Sequence, residues 1–480
     1  MTKKLPIIGQ STAAPAAANG AASDPSAPAA AGGAAGGRVA LVTLGCAKNQ
    51  VDSEVMLGAL RQGGYEIVTD LALAEYAVIN TCGFLESAVK ESVDCILEVA
   101  DLKKSARLRK LVVAGCMVSR YGEELRGTLP EVDEFLSTDQ IMQAPSVLRG
   151  AGVGAAQAPF LYDHSMPRLL STAAHTAYVK IAEGCNRPCS FCIIPKIRGP
   201  MRSRASQSVL AEIGGLAAQG VREINLIGQD LTAYGRDRRD IALAQLLREI
   251  DALDAVPWVR LLYAYPVGVD DELLRTIIDT PSICNYLDIP LQHASETVLK
   301  AMQRPLGKLA PRRLVEKLRE GYPEVALRTT FIVGFPGERE EDFRELEDFV
   351  AEGHFSSVGV FTFSPEQEAP ASGLPHPVSK KVMRERRDRL MRRQQEVVKQ
   401  RHQALVGSDL EVLIDGTHEE SDLLLSGRAR FQAPEVDGGI IINDSCVDPA
   451  VLRAGAIARV EITGHAGYDL LGTVREVIAT

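Results

Sequence analysis

The chain lacks long apolar runs, and no stretch of its 480 residues approaches the roughly 18 apolar residues that a membrane-spanning helix needs. Residues 1–38 also lack aromatic side chains, and their only apolar patch, residues 5–8, is too short for the core of a secretory signal. Such a composition cannot bury enough surface to offset its ordering entropy, so we expect a disordered tail there. No membrane association is expected, and a reducing, cytoplasmic location follows.

The composition, 46% hydrophobic and 24% charged, is typical of a soluble globular protein of several domains. The chain also has nine cysteines. In a reducing compartment, cysteines serve more often as metal ligands, reactive groups or buried small side chains than as disulfides. Their positions decide among these roles.

Strand and helix patterns alternate between residues 39 and 145. The predicted strands are residues 38–44, 76–80 and 111–114, and the amphipathic helices between them include residues 52–62 and 87–100. This alternation predicts an open parallel α/β domain.

A cysteine follows each of these three strands: Cys46, Cys82 and Cys116, at intervals of 36 and 34 residues. A lone cysteine at a strand end is usually a packing residue. The carboxyl ends of parallel strands share one edge of a sheet, however, so three thiols at matching positions should converge. We predict a three-thiolate iron–sulfur site with one iron left open.

A second series of six strands lies between residues 176 and 366, with helical patterns in every gap. This predicts a partial (β/α)6 barrel whose active site lies at the carboxyl ends of its strands. The predicted strands are residues 178–182, 223–228, 259–265, 286–291, 328–334 and 357–363, and the helices include 208–219 and 340–352.

A tight loop with three cysteines, Cys185, Cys189 and Cys192, follows the first strand of this series. A structural zinc site would need a fourth ligand, and no nearby partner supplies one. The spacing instead favours a 4Fe-4S cluster with one iron free to bind S-adenosylmethionine (SAM), the arrangement of radical SAM chemistry. The remaining cysteines, Cys95, Cys284 and Cys446, are predicted to be packing residues.

The C-terminal part has short β-branched runs separated by Gly, Asp and Pro, at residues 409–414, 439–442 and 456–463. They predict a small all-β barrel. A long polar helix, residues 379–402, precedes it.

From residue 39 onward the sequence resembles the methylthiotransferase family of radical SAM enzymes. The resemblance rests on the segments 43–49, 80–84, 185–199 and 331–338. It implies a methylthiotransferase domain at 39–150 with three cluster cysteines, a radical SAM domain at 171–405 that includes the basic linker helix, and a TRAM domain at 406–475.

The resemblance implies two 4Fe-4S clusters, SAM as cosubstrate, and an external electron donor such as a flavodoxin or ferredoxin. The cluster on Cys185, Cys189 and Cys192 would cleave SAM to a 5′-deoxyadenosyl radical. The cluster on Cys46, Cys82 and Cys116 would hold the sulfur that a second SAM methylates. Gln229 is expected to contact the SAM amino group. Gly334 and Gly337 are expected either to let the backbone approach the SAM adenosine closely or only to form a turn.

Two segments, Gly83–Phe84 and residues 283–293, resemble the subgroup that modifies the β-carbon of an aspartate in small-subunit ribosomal protein twelve, free or on the ribosome. The alternative is the subgroup that modifies C2 of adenosines in transfer RNA. A non-enzymatic iron–sulfur scaffold is a third hypothesis, which SAM cleavage would exclude.

Charge favours the ribosomal protein as substrate. Residues 408–480 contain 13 acidic and 5 basic residues, a net charge of −8, whereas an RNA-binding barrel should be basic. An acidic face that only keeps the protein soluble would give the same count. The arginines of the helix at 379–402 point the other way, because that helix could contact ribosomal RNA or simply be a solvated linker; they include Arg384, Arg386, Arg387, Arg389, Arg392 and Arg393.

Overall fold

A computed structural model describes residues 36–104, 108–156 and 159–479. Most of the predicted tail, residues 1–35, lies outside them. The chain divides into two compact units, each of which makes most of its contacts within itself. The first comprises the described residues up to Ala174 together with Lys196–Arg198, and the second comprises His175–Pro195 and the described residues from Gly199 onward.

The first unit is built on a five-stranded parallel sheet with the order β2-β1-β3-β4-β5. Neighbouring residues enter opposite apolar layers, as Val112 and Val113 do, so helices cover both faces of the sheet. The strands are β1 (Arg38–Thr43), β2 (Glu66–Ile67), β3 (Tyr76–Thr81), β4 (Lys110–Gly115) and β5 (Glu134–Leu136). The helices are α1 (Ala47–Gln62), α2 (Glu86–Lys104), α3 (Cys116–Tyr121), α4 (Glu124–Thr128) and α5 (Ala144–Leu148).

The three strands predicted in this unit are confirmed as β1, β3 and β4. Helix α1 begins at Ala47, five residues before its predicted start. Lys48, Asn49 and Asp52 are buried in it, and these polar side chains mask the amphipathic pattern on which the prediction relied. The short strands β2 and β5 were not predicted because two or three residues carry too little pattern.

The second unit contains a six-stranded parallel sheet with the order β13-β12-β11-β10-β9-β6, which confirms the six predicted βα units. Its strands and the adjoining short pair are β6 (Thr176–Lys180), β7 (Ala182–Glu183), β8 (Arg202–Ser203), β9 (Glu223–Ile227), β10 (Trp258–Leu261), β11 (Ile283–Asp288), β12 (Ala326–Val333) and β13 (Ser357–Thr362). The helices along this part of the chain are α6 (Ile194–Arg198), α7 (Ser206–Ala218), α8 (Leu243–Ala252), α9 (Asp271–Asp279), α10 (Glu296–Ala301), α11 (Pro311–Gly321), α12 (Glu340–Ala351) and α13 (Lys380–Leu405).

Two predicted strands of this sheet were too long. The strand predicted at residues 178–182 is divided, because β6 ends at Lys180 and β7 turns away to pair antiparallel with β8. The strand predicted at 259–265 ends at Leu261 because Tyr263 has a φ of 72°, which regular strand geometry does not allow.

The C-terminal strands form a closed barrel with the order β14-β15-β16-β18-β17, as predicted. The strands are β14 (Asp409–His418), β15 (Ser421–Ala429), β16 (Ile440–Ser445), β17 (Ile457–Ala466) and β18 (Asp469–Ala479). The sequence did not reveal β15 or β18. Shifts in the pairing register and interspersed polar residues weaken the alternation of apolar and polar side chains along both strands. The prediction that Cys446 is a packing residue was wrong: it is exposed, and its sulfur accepts a hydrogen bond from Arg475 at 3.2 Å.

The barrel packs against the amino ends of the sheet strands within the second unit. Glu223, the first residue of β9, is fully buried between Arg260 of β10 and Arg428 of β15, at 3.0 and 2.8 Å. Burial acts to raise the pKa of Glu223, but the two guanidiniums lower it to about 2. Trp258 adds a hydrogen bond from its indole N–H to Glu411 at 3.0 Å. The carboxyl ends of the strands are left for the site.

Helix α13 matches its prediction, and its N-cap residue Ser379 accepts a hydrogen bond from the backbone of Val382 at 3.3 Å. Two of its arginines pair within the second unit. Arg386 is buried against Glu338 at 3.0 Å, and Arg389 contacts Glu340 at 2.9 Å. Within the described ranges, no helix is both long and apolar enough to cross a membrane.

Candidate iron–sulfur sites

The first site forms where β1, β3 and β4 end. A Cβ added to Gly45 would lie 2.9 Å from Cβ of Cys82 and 3.3 Å from its sulfur, so the residue before Cys46 touches Cys82. A Cβ on Gly83 would lie 2.8 Å from the carbonyl carbon of Cys116. Because neither position leaves room for a side chain, the backbones that carry the three cysteines approach closely. The structure therefore brings together the three thiols that the sequence predicted to converge.

Asn49 of α1 joins the three strand ends. Its side-chain amide donates hydrogen bonds to the carbonyls of Leu44 and Thr81, at 2.9 and 3.0 Å. Its side-chain oxygen lies 3.4 Å from the sulfur of Cys116 and accepts a hydrogen bond from Arg198 at 2.5 Å. One buried amide thus fixes the backbone two residues before Cys46 and directly before Cys82, and it also contacts the third cysteine.

Burial dominates the electrostatics of the free thiols in this site. It raises the pKa of Cys82, and it raises the pKa of Cys116 to about 12, while Arg198 lowers both values by a smaller amount. The neighbouring thiols raise both values further, since adjacent negative charges repel one another. Iron binding must therefore release protons and benefits from a nearby cation.

The second site is the loop between β7 and α6. Gly184 has a φ of 80°, and a Cβ there would lie 2.2 Å from the carbonyl oxygen of Pro200, so only glycine fits. The backbone N–H of Cys185 donates to the carbonyl of Gly199 at 3.2 Å, which closes the loop. Ser190 anchors its far side through its hydroxyl, which donates to Ala301 at 2.7 Å.

Each sulfur of this loop accepts one N–H hydrogen bond. The backbone of Arg187 donates to Cys185 at 3.4 Å, and the backbone of Ile194 donates to Cys192 at 3.5 Å. The guanidinium of Arg304 donates to Cys189 at 3.5 Å. Burial raises the pKa of Cys185, and it raises the pKa of Cys192 to about 12. Converging thiols that accept N–H bonds suit iron–sulfur ligation, where such bonds tune the cluster.

Charged and aromatic side chains surround this loop. The guanidiniums of Arg187 and Arg304 both stack on the ring of Tyr265, at 4.0 and 4.2 Å from its centroid. Arg187 also pairs with the buried carboxylate of Asp230 at 2.7 Å. These contacts fix two cations beside the cysteine loop.

The three residues predicted to contact SAM differ in their surroundings. The amide N–H of Gln229 donates to Glu183 at 2.6 Å, and its buried side-chain oxygen has no partner among the residues described. Gly334 is required by packing, since a Cβ there would lie 2.3 Å from Met383. Gly337 has a φ of 84° and open space where a Cβ would project. The contacts themselves stay predictions.

Across the described ranges, no group of three or more His, Cys, Asp or Glu side chains is placed to hold one metal ion. A zinc site draws all its ligands to within about 2.3 Å of one ion, whereas a 4Fe-4S cluster gives each cysteine its own iron. Among the other cysteines, Cys95 packs in the apolar layer beside α2 and Cys284 is fully buried in β11, as predicted.

Sequence reasoning missed the charged residues around both sites. Arg198 belongs to the segment that carried the family resemblance, and Glu183 directly precedes the cysteine loop, so a signal existed for both. Arg187 lies in the same segment as Arg198, whereas Arg304 had no recognisable signal. Arg304 lies 115 residues beyond the cysteine that it contacts, and only the fold brings the two together.

Comparisons with known proteins match this architecture. Three family models fit consecutive parts of the chain: uncharacterized protein family UPF0004 at residues 38–137, the radical SAM superfamily at 179–350 and the TRAM domain at 406–474. A ribosomal protein uS12 methylthiotransferase RimO from Anaeromyxobacter sp. strain K is 48% identical over 441 residues, covering 91% of this chain and 93% of that protein. The chain belongs to the RimO family.

A second RimO, from Geobacter sulfurreducens, is 46% identical over 91% of this chain and 98% of its own length. Among solved structures, the radical SAM methyltransferase TsrM from Kitasatospora setae, with cobalamin and a [4Fe-4S] cluster bound, covers 70% of this chain and 76% of its own. Its TM-score is 0.50 at 17% identity, a likeness of fold. The chain is a radical SAM methylthiotransferase that uses SAM and 4Fe-4S clusters.

Proposed function

We propose that this enzyme adds a methylthio group to the β-carbon of an aspartate in ribosomal protein uS12. The observation that carries the proposal is the identity of 43 to 48% with RimO proteins over at least 91% of the chain. The acceptor lies on a ribosomal protein, so we also propose that the enzyme acts in the cytoplasm, on uS12 that is either free or in the ribosome.

We assign Cys185, Cys189 and Cys192 as ligands of one 4Fe-4S cluster, and Cys46, Cys82 and Cys116 as ligands of a second. The support is that each set combines three converging thiols with N–H donors to sulfur. When bound, the clusters supply reductive cleavage of SAM at one site and the transferable sulfur at the other. We propose an external donor, such as a flavodoxin or ferredoxin, for the electrons.

The residues around the loop position SAM in this proposal. Gln229 is held by Glu183, which directs its free side-chain oxygen toward a donor such as the SAM amino group. The open space at Gly337 allows the adenosine to approach the backbone. Arg304 fixes Cys189, while the stack on Tyr265 restrains the guanidinium.

The barrel favours a protein substrate over RNA. Of its five arginines, Arg428 is buried in the network around Glu223, Arg459 and Arg475 pair with carboxylates on neighbouring strands, Arg430 donates to backbone carbonyls, and Arg453 is exposed. Nine of its acidic residues are exposed. Such a surface repels phosphates and attracts basic segments, which suits a basic ribosomal protein.

Some of the arginines of helix α13 are engaged within the second unit and others face outward. Arg386 and Arg389 are already paired with α12 and the turn before it. A contact with ribosomal RNA would therefore use the exposed Arg384, Arg392 and Arg393 and the half-exposed Arg387. We propose this as a secondary contact, made when uS12 is met in the ribosome.

The test is a reaction of reconstituted enzyme with reductant and methyl-labelled SAM, offered purified uS12 or transfer RNA. We expect label as a methylthio group on an aspartate of uS12, and none when that aspartate is replaced by asparagine. Label on transfer RNA adenosine with none on uS12 would show the alternative substrate. Absence of SAM cleavage with both clusters present would contradict the radical reaction and favour a scaffold.

A further inference from the structure

Arg198 is a buried cation that the reaction described above does not use. Its side chain is 3% exposed, although it follows a half-exposed cysteine loop by only six residues in the sequence. The segment Lys196–Arg198 groups with the first unit, whose candidate site it enters. Burying a guanidinium is costly unless all its N–H groups find acceptors, so its contacts indicate why it is there.

The contacts of Arg198 converge on one cysteine. Its Nη1 pairs with Asp52 at 2.9 Å and its Nη2 donates to Asn49 at 2.5 Å. Its Nε and Nη2 both point at the sulfur of Cys116, at 3.3 and 3.1 Å. Two N–H groups of one planar fork thus meet one sulfur, while Asp52 and Asn49 of α1 fix the fork in place.

The free thiol of Cys116 donates to the side-chain oxygen of Asn49 at 3.4 Å and accepts the two guanidinium N–H groups, whereas as an iron ligand the sulfur has no proton and only accepts. A thiol accepts hydrogen bonds weakly, whereas a thiolate accepts two charge-assisted bonds readily. Asp52 balances the guanidinium when the sulfur is neutral, and the second charge is balanced once the sulfur becomes a thiolate ligand. Of the three cysteines in this site, Cys116 is the most buried, so its thiolate gains most from a fixed cation.

We infer that Arg198 is a positioning residue that holds Cys116 as a thiolate ligand and raises the reduction potential of the cluster at this site. The inference rests on the proposed function, in which Cys46, Cys82 and Cys116 hold that cluster. Hydrogen bonds to ligand sulfur stabilise the reduced, more negative cluster, and partners that orient a ligand commonly change metal affinity about 10–100-fold. The competing explanation is an ion pair with Asp52 that only stabilises the fold.

The experiment uses full-length protein with Cys185, Cys189 and Cys192 replaced by alanine, so that only the first site can take a cluster. After anaerobic reconstitution, iron and sulfide content, the rate of iron loss to a chelator and the midpoint potential by electron paramagnetic resonance are compared. The variants are R198Q, R198K and the double variant R198Q/D52N. The matched control is R168Q, which removes another buried arginine–carboxylate pair whose carboxylate, Glu54 at 2.6 Å, lies on the same helix as Asp52.

We expect R198Q to lose iron roughly tenfold faster and to show a more negative midpoint potential. R198K should fall between R198Q and the parent, because lysine keeps the charge but not the fork. R198Q/D52N should remain shifted, since removing the counter-charge does not restore the bonds to sulfur. R168Q should leave the potential unchanged.

Two results would overturn the inference in distinguishable ways. If the parent protein takes up no cluster, the proposed ligand set is wrong, and the role inferred for Arg198 is wrong as well. If the parent holds a cluster whose potential is the same in R198Q, or if R198Q/D52N restores the parent potential, the ligand set stands and Arg198 is only an ion-pair partner.

Discussion

At the scale of single residues, four of the candidate ligand cysteines combine burial, which favours the protonated thiol, with N–H donors, which favour the thiolate: Cys82, Cys116, Cys185 and Cys192. Cys116 illustrates the balance, because burial raises its pKa to about 12 while Arg198 acts to lower it. Metal binding resolves this conflict by replacing the proton. The spacing of the cysteines was visible in the sequence, whereas their donors were not, because Arg304 and Arg198 reach their sulfurs only in the folded chain.

Mutation of one cysteine in each site should show that the two sites have different roles in the reaction. We expect C189A to reduce SAM cleavage to background, because the loop then lacks one ligand. C116A should still cleave SAM while forming no methylthio product. The buried Cys95, which is no candidate ligand, supplies the control C95A with full iron content. Chromatography of 5′-deoxyadenosine, together with iron analysis, checks all three, and SAM cleavage lost equally in C116A and C189A would contradict the separation.

His293 should make stability depend on pH. It is fully buried with its Nε2 unpartnered among the described residues, and burial lowers its pKa to about 3. The folded state therefore resists protonation while the unfolded state takes up a proton below about pH 6.5. The stability present above pH 6.5 should fall by up to about 1.4 kcal/mol per pH unit as the pH drops toward 3.

Urea unfolding of the apoprotein under reducing conditions at several pH values measures this dependence. The variant H293N keeps an acceptor for the N–H of Ser295, which Nδ1 now accepts at 3.0 Å, but does not titrate. Its stability should vary less between pH 6.5 and 4. An identical slope in H293N and the parent would show that His293 does not cause the effect.

At the scale of elements, parallel strands make the sites predictable. Alternating apolar strands and amphipathic helices predicted both parallel sheets, and shared carboxyl ends predicted that Cys46, Cys82 and Cys116 converge. Less could be predicted where the pattern is short or broken, as at β2 and β5, or where the backbone turns, as at Tyr263. The domain boundaries at 39–150, 171–405 and 406–475 stay predictions.

The backbone of the cysteine loop should be sensitive at one glycine and tolerant at another. Gly184 and Gly199 both have positive φ values, 80° and 73°, but only at Gly184 would a Cβ meet the backbone. Gly199 has a ψ of −169°, a conformation that residues other than glycine rarely adopt, so G199A should cost about 1–3 kcal/mol of conformational strain but meet no neighbouring atom. G184A should in addition displace the loop and lose the iron of this site. Iron content after reconstitution checks the pair, and equal iron in both variants would contradict the close packing.

At the scale of the whole molecule, the second unit joins its sheet and its barrel through buried charges. The sheet keeps its carboxyl ends for chemistry, while its amino ends hold the barrel through Glu223, Arg260 and Arg428. Replacing one of these three residues removes a charge partner of the others, and buried charges are costly without partners. The acidic residues of the barrel remain on its surface, where they can meet a basic substrate.

E223Q should lower the free energy of unfolding by about 3–5 kcal/mol, because it leaves the buried guanidinium of Arg260 without a carboxylate and Arg428 with Asp415 alone. The control E476Q breaks an exposed pair with Arg459 and should leave the unfolding midpoint unchanged. Thermal unfolding of the apoproteins checks both. Equal midpoints for E223Q and the parent would show that the network does not hold the barrel.

The most direct test of the central claim is mass spectrometry of uS12 and of transfer RNA nucleosides from cells with and without this gene. We predict that deletion removes a methylthio mass increment from one aspartate of uS12 and leaves the nucleosides unchanged, and that the intact gene, but not its C116A variant, restores it. Loss of a methylthioadenosine with uS12 unchanged would contradict the proposed substrate.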